Sequence, residues 1–166
     1  MERVDGDSLD SLNATPARLT VYDAPLDPDS VTPQMRENLD DELTEVKSEN
    51  AIDRITSQAN PRTLERVPAG ARFKVRLVLD LLCEEDRSLA PRLAEGLRLL
   101  EDDSLGGGGS RGSGRVRFGN LKLIWRPRSF YVSGGPETEL LVGADTAKLQ
   151  SLVNDRSFAD KLASQA

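Results

Sequence analysis

Seven of the 13 glycines, Gly106, Gly107, Gly108, Gly109, Gly112, Gly114 and Gly119, fall within one short stretch of the chain. Glycine is costly inside a helix and weakens a strand, so this stretch must be a loop, and the fold has to be assembled from what flanks it. Upstream, Leu89, Leu93, Leu97 and Leu100 recur at helical spacing behind Ser88, a candidate cap, with Pro91 in the first turn and Glu101-Asp102-Asp103 at the end. That pattern predicts an amphipathic helix. Downstream, Arg115-Val116-Arg117-Phe118 alternates, and Leu121, Leu123 and Trp125 continue on the opposite parity. This predicts one long strand bent by a bulge near Gly119-Asn120. A flexible linker would need an independent domain on each side, whereas here a helix and a strand of one presumed core are joined.

The other elements follow from the same periodicities. Arg18 to Asp23 reads as a strand, Gln34 to Leu43 as a helix, and Arg72 to Leu81 as the clearest strand, with Phe73, Val75, Leu77, Leu79 and Leu81 on one face. The polar stretch 44–68 spaces Lys47, Arg54, Arg62 and Arg66 at intervals, which predicts an ordered projecting hairpin. A short strand over Ser129 to Val132, a turn at Gly134-Gly135-Pro136 and a helix from Thr146 to about Ala163 complete the reading. Together these predict an α+β domain, an antiparallel sheet with helices on one face in the manner of ferredoxin-like, RRM-like domains.

Composition narrows the chemistry. The chain has no histidine, which removes the commonest general base and metal ligand and every Ser-His or Cys-His nucleophile. Its single cysteine, Cys83, excludes an intrachain disulfide and is expected to be a buried, inert thiol. No apolar run spans a membrane and no signal-peptide profile opens the chain, so an intracellular, cytoplasmic protein is expected. The net charge of -6 hides a split: -9 over residues 1–46, +5 over 47–128 and -2 over 129–166. Only the middle is suited to a polyanion.

Within that middle, the glycine stretch admits two readings. Glycines allow backbone N–H groups to approach an anion, and Arg111, Arg115 and Arg117 add charge, which describes a phosphate-binding nest. A purely structural glycine turn is the other. No Gly-Lys-Ser/Thr follows at Walker spacing, and the stretch does not join a strand to the start of a helix, so mononucleotide and dinucleotide cofactors are disfavoured. Polynucleotide backbone is the better match to shape and charge.

The order of residues goes further. The run Leu99-Leu100-Glu101-Asp102-Asp103-Ser104-Leu105, followed by Gly106 to Gly109 and Ser110-Arg111-Gly112-Ser113-Gly114-Arg115-Val116-Arg117-Phe118, resembles the C-terminal signature of the RAMP superfamily of CRISPR-associated proteins. Within it, the likeness is to the backbone subunit of type III-A (Csm) effector complexes. A second block, from Thr44-Glu45-Val46-Lys47 through Asp53-Arg54-Ile55-Thr56 to Val67-Pro68-Ala69-Gly70, resembles the same subunit's thumb hairpin. The resemblance implies one RAMP domain over 1–166 with an RRM-like core, a thumb-like insertion at 44–68 and a glycine-rich loop at 103–114.

It also implies a role. In that family several copies line up along one guide RNA, with the thumb between guide and target and the glycine loop against the guide backbone. Carried over, Lys47, Arg54 and Ile55 belong to the thumb, and Gly108, Gly109, Arg111, Gly112 and Arg115 to RNA binding by the loop. The implied partners are guide RNA, target RNA, further copies of the chain and other subunits of the complex, and no membrane. Ser113 stands where the family usually has an aromatic residue. The resemblance further implies a fold incomplete at its N-terminus. The family's opening strand and helix, and the loop whose aspartate cleaves RNA, have no counterpart before Arg18, so no catalytic residue is assigned among Asp5, Asp7 and Asp10. No cofactor is expected in this chain, and a divalent metal only where a full-length relative cleaves RNA.

Plainer roles are expected elsewhere. Arg72, Lys74 and Arg76 read as solvated surface charges, Arg62 and Arg66 as holding the thumb's shape beside Glu65 and Glu49, and Trp125 as core. Three functions stay open at this level: a guide-RNA-binding scaffold, the remaining part of a metal-dependent endoribonuclease whose catalytic segment lies upstream, and an unrelated RRM-like RNA binder.

Overall fold

The computed structural model describes residues 16–37, 39, 43–155 and 157–158. The acidic segment 1–15, most of the second half of the expected helix over Gln34 to Leu43, and the end of the C-terminal helix lie outside the described residues. The chain divides into two compact units, Met1–Val78 and Leu79–Ala166.

In the first unit, β1 (Leu19–Val21) and β2 (Leu26–Asp27) lie beside β5 (Arg72–Phe73) and β6 (Leu77–Leu79), whose first two residues belong to this unit. The strand expected over Arg72 to Leu81 is therefore two short strands. Pro25 explains the break: its carbonyl accepts the Lys74 N–H at 2.9 Å, but it has no N–H to return. β2 and β5 pair antiparallel, Leu26 opposite Phe73 and Asp27 opposite Arg72. Buried Ser30 ties this ladder together, its hydroxyl donating to the Asp27 carbonyl at 2.6 Å and accepting the Arg72 N–H at 2.8 Å. The three basic residues expected as surface charges are exposed, and two have local partners. Arg72 meets Asp27 at 3.6 Å, and Arg76 lies 4.8 Å over the Tyr22 ring. The helix expected from Gln34 is a single turn, α1 (Pro33–Arg36), capped by the Thr32 hydroxyl accepting the Met35 N–H at 3.2 Å.

The stretch 44–68 holds a hairpin of β3 (Glu45–Ile52) and β4 (Ala59–Arg66), paired antiparallel over eight positions from Glu45↔Arg66 to Ile52↔Ala59. Its two strand arginines pair across the ladder: Arg62 binds Glu49, one of the two acids expected beside them, at 3.2 Å, and Arg66 binds Glu45. Register decides this, because directly opposite residues share a face while Glu65 points with Val46 to the other.

The second unit is built on α2 (Leu89–Asp102), the helix expected from the leucine spacing. Its entry differs from the expectation. Ser88 already has helical dihedrals and donates to the Glu85 carbonyl, while buried Asp86, in a 3-10 turn over Glu84–Ser88, accepts the Leu82 and Cys83 N–H groups at 2.8 and 3.1 Å. Cys83 at the start of this turn is exposed, not buried as expected. Two further expectations are corrected here. The strand begins only at β7 (Leu121–Trp125), because residues 113–119 are irregular: the Phe118 N–H goes to a carboxylate instead of a ladder, and Asn120 takes φ +55°. Its irregularities lie farther on, where the pairing with β8 (Thr138–Ala144) shifts register between Leu121 and Ile124. Residues 129–132 form no strand but part of α3 (Arg128–Ser133), since Pro127 at its start and Gly134 in the left-handed region at its end confine it to helical turns.

α4 (Thr146–Val153) is capped by Asp145, whose carboxylate accepts the Lys148 N–H at 2.8 Å. Buried Ala94, Val153 and Phe158 form the centre of this unit, with Leu81, Ala90, Leu123, Trp125, Leu140, Leu149 and Leu152 packed against them. Trp125 is thus core, as its phase with Leu121 and Leu123 implies. Each fully buried large apolar side chain contributes about 1.5–3 kcal/mol, so two of that size make a thin centre. The described residues thus combine α and β structure in four two-stranded ladders and four short to medium helices. Among them no helix is long and apolar enough to cross a membrane.

Candidate nucleic-acid interface

The glycine loop is shaped by closure at its base. The Leu105 N–H donates to the Gly114 carbonyl at 2.8 Å, drawing the two ends together. Gly114 has φ +79°, and a Cβ there would fall inside the Leu105 carbonyl oxygen and 3.1 Å from its carbonyl carbon. Only glycine fits. Between these ends, Gly108 and Gly112 both take left-handed dihedrals and bracket a 3-10 turn over Gly109–Arg111. The turn is fastened by Arg111 N–H and Ser113 N–H to the Gly108 carbonyl, at 2.9 and 3.2 Å, and by Gly112 N–H to the Gly109 carbonyl at 3.0 Å. A Cβ on Gly109 would come within 2.9 Å of the Ser104 Cβ, so that position is also tightly held.

This bonding uses the N–H groups of Arg111, Gly112 and Ser113. Among the described residues, the N–H groups of Gly106, Gly107, Gly108, Gly109 and Ser110 have no acceptor. Consecutive unpaired backbone donors, with Gly106 and Gly108 in the left-handed region, have the chemistry to meet an anion. Arg111, Arg115 and Arg117 are exposed and follow closely in the chain. Gly108, Gly109, Arg111, Gly112 and Arg115 are therefore brought together in one loop.

One residue that the sequence reading treated only as a helix end holds this loop in place. Glu101, in the last turn of α2, accepts the Phe118 N–H through one oxygen and the Thr146 hydroxyl through the other, both at 2.7 Å. It thereby joins the end of α2, the exit of the loop and the start of α4. The Phe118 hydrogen bond first, then the Thr146 hydroxyl and more weakly the Arg117 and Arg98 guanidiniums, hold its carboxyl below the usual glutamate value. The signal available beforehand was an acidic residue next to a loop rich in arginine, and it does not single out Glu101 from Asp102 or Asp103.

The other expected positions lie in the hairpin. Lys47 sits in the middle of β3, half-buried, between the Glu45–Arg66 and Glu49–Arg62 pairs on the same face. Arg54 and Ile55 lie in the turn, roughly 20 Å along the ladder from Lys47 at the usual rise per strand residue. The turn is organised by Asp53, whose carboxylate accepts the Ile55 and Thr56 N–H groups, each at 2.8 Å, and Ser57 takes φ +59°. Those hydrogen bonds, Thr56 first, lower the Asp53 pKa. Ile55 is left 93% exposed at the tip. A rigidly held, almost fully exposed isoleucine is an apolar wedge without an intramolecular partner among the described residues. Asp53 was overlooked in the sequence, although an aspartate two residues before a needed N–H is a recognisable turn signal.

Residues 6–117 match the RAMP superfamily. The chain is 42% identical over 120 residues to the CRISPR system Cms endoribonuclease Csm3 of Methanocaldococcus jannaschii, covering 70% of this chain and 46% of that protein. It is 47% identical over 90 residues to the protein of the same name from Methanothermobacter thermautotrophicus, covering 54% of this chain and 36% of that one. It is 46% identical over 94 residues to that of Mycobacterium tuberculosis, covering 48% and 40%. The chain thus spans less than half the length of these relatives. The matched stretch contains the hairpin, α2 and the closed glycine loop, and on it the chain belongs to the RAMP superfamily.

Proposed function

We propose that this chain is a guide-RNA-binding scaffold subunit of a type III CRISPR interference complex. The observation that carries this reading is the run of unpaired N–H groups from Gly106 to Ser110, followed by Arg111 and Arg115, within a stretch matched to the RAMP superfamily. Such donors grip a phosphate backbone without reading sequence, which suits a protein whose target is chosen by base pairing. The wedge at Ile55 and the cations Lys47 and Arg54 fit a thumb that enters between guide and target strands, on an RRM-like core to which the small ladders belong. Partners on this reading are guide and target RNA, further copies of the chain and other subunits.

The relatives are named endoribonucleases, and RNA cleavage in such proteins would call for a divalent metal. Among the described residues, no group of three or more His, Cys, Asp or Glu is placed to hold one. The proposal here is binding.

The test is the salt dependence of single-stranded RNA binding by the Arg111→Ala/Arg115→Ala variant. Loss of two phosphate contacts should lower the slope of log K against log salt by about 1.4, at about 0.7 per contact on single strands, and weaken binding most at low salt. An unchanged affinity and slope would remove the loop from the interface.

A further inference from the structure

Beyond the stretch matched to the family, residues 126–133 present a second surface. Tyr131 and Val132 on α3 are 70% and 74% exposed. The tyrosine ring is not loose. It stands edge-on to Phe130, with ring centres 5.1 Å apart and planes at 82°. The Arg126 guanidinium lies 5.1 Å over the Phe130 ring and donates to Glu137 at 2.8 Å. Pro127 and the left-handed Gly134 fix the two ends of the helix, and the Tyr131 ring packs at right angles to Phe130 while most of its surface faces water.

Charge indicates what such a surface can take. Arg126 is offset by Glu137, and Lys122 by Glu139. Arg128 is exposed and has no ion-pair partner among the described residues, and it lies three positions before Tyr131, on the same side of the helix. An exposed aromatic ring beside an uncompensated guanidinium complements a nucleobase and its phosphate; an apolar protein surface would leave that charge unmatched. We infer that Tyr131 is a base-stacking platform for single-stranded RNA, with Arg128 on the adjoining phosphate. This rests on the RNA-binding reading above and adds to it a contact outside the glycine loop.

The experiment uses the 166-residue chain and a fluorescein-labelled single-stranded RNA, followed by anisotropy, with circular dichroism as a check that each variant folds like the parent. Tyr131→Ala should weaken binding by at least about 5-fold, whereas Tyr131→Phe, which keeps the ring and loses the hydroxyl, should stay within about 2-fold. Photocrosslinking with 4-thiouridine-substituted RNA should label the peptide that contains Tyr131. Tyr131→Ala binding within about 2-fold of the parent overturns the inference, as does Tyr131→Phe binding as weakly as Tyr131→Ala. Unchanged RNA binding with loss of self-association in light scattering overturns it in favour of a protein contact. If Arg111→Ala/Arg115→Ala loses affinity while Tyr131→Ala does not, only this inference fails; if the parent chain binds no RNA, the proposed function fails with it.

Discussion

Gly114→Ala should destabilise the second unit by about 2–4 kcal/mol and weaken RNA binding at least about 10-fold, with Gly107→Ala as a nearly silent control for stability alone. Three effects add at Gly114. An L-residue at φ +79° costs about 1–2 kcal/mol. The new Cβ would overlap the backbone carbonyl of Leu105, which has no flexible side-chain end to move aside. Relieving that overlap stretches the Leu105 N–H to Gly114 carbonyl bond, worth about 1 kcal/mol. Gly107 has open space around its Cβ position and no positive φ, so alanine there should change stability by no more than about 0.5 kcal/mol. Urea denaturation of both variants, with RNA binding measured alongside, checks the pair. Equal stability for the two would mean that the closure at Leu105 and Gly114 does not hold the loop's shape.

That contrast also marks what could be read from the residues. Seven clustered glycines announce a loop, and the leucine spacing over 89–100 announces the helix that leads into it, because both signals are local. The hairpin over 45–66 was legible from the basic residues spaced at intervals through a long polar stretch, although its register was not. Which glycines are obligatory was not, since Gly107 and Gly114 differ only in what the fold brings near them. Arg72 to Leu81 alternates perfectly yet splits, because the missing N–H belongs to Pro25, far away in sequence. Residues 129–132 are rich in aromatic and β-branched side chains and still turn helical between Pro127 and Gly134. Arg115 to Phe118 alternates without a partner strand, because Glu101 takes the N–H that a ladder would need. At Pro25 and at Glu101 a tertiary contact overrides a correct local pattern, whereas at 129–132 the flanking proline and glycine outweigh strand propensity.

Glu101 is the most consequential of those contacts, and Glu101→Ala should cost about 1–3 kcal/mol at neutral pH. The substitution leaves the Phe118 N–H and the Thr146 hydroxyl without their acceptor, and hydrogen bonds to a charged group are worth about 1.5–3 kcal/mol each before solvent screening at this half-buried site reduces them. Glu101→Gln retains one acceptor oxygen and should fall between. The pH dependence separates charge from shape. Because the folded-state pKa is lowered, the stabilisation is fully present above the ordinary glutamate value of about 4.5 and is lost as pH falls through the lower folded value. The stability difference between the parent chain and Glu101→Gln should therefore hold from pH 6 to about pH 4.5 and shrink as pH falls below that, since a protonated Glu101 resembles glutamine. A difference that stays constant from pH 6 to pH 3 would mean the carboxylate's charge contributes nothing. RNA affinity then decides what Glu101 does for the loop. Removing its negative charge beside Arg117 and Arg98 should by itself favour a polyanion. If the loop must be held at Phe118 to present its N–H groups, affinity will instead fall in Glu101→Ala, and we expect the fall, because ordering five donors costs more than one neighbouring charge repels.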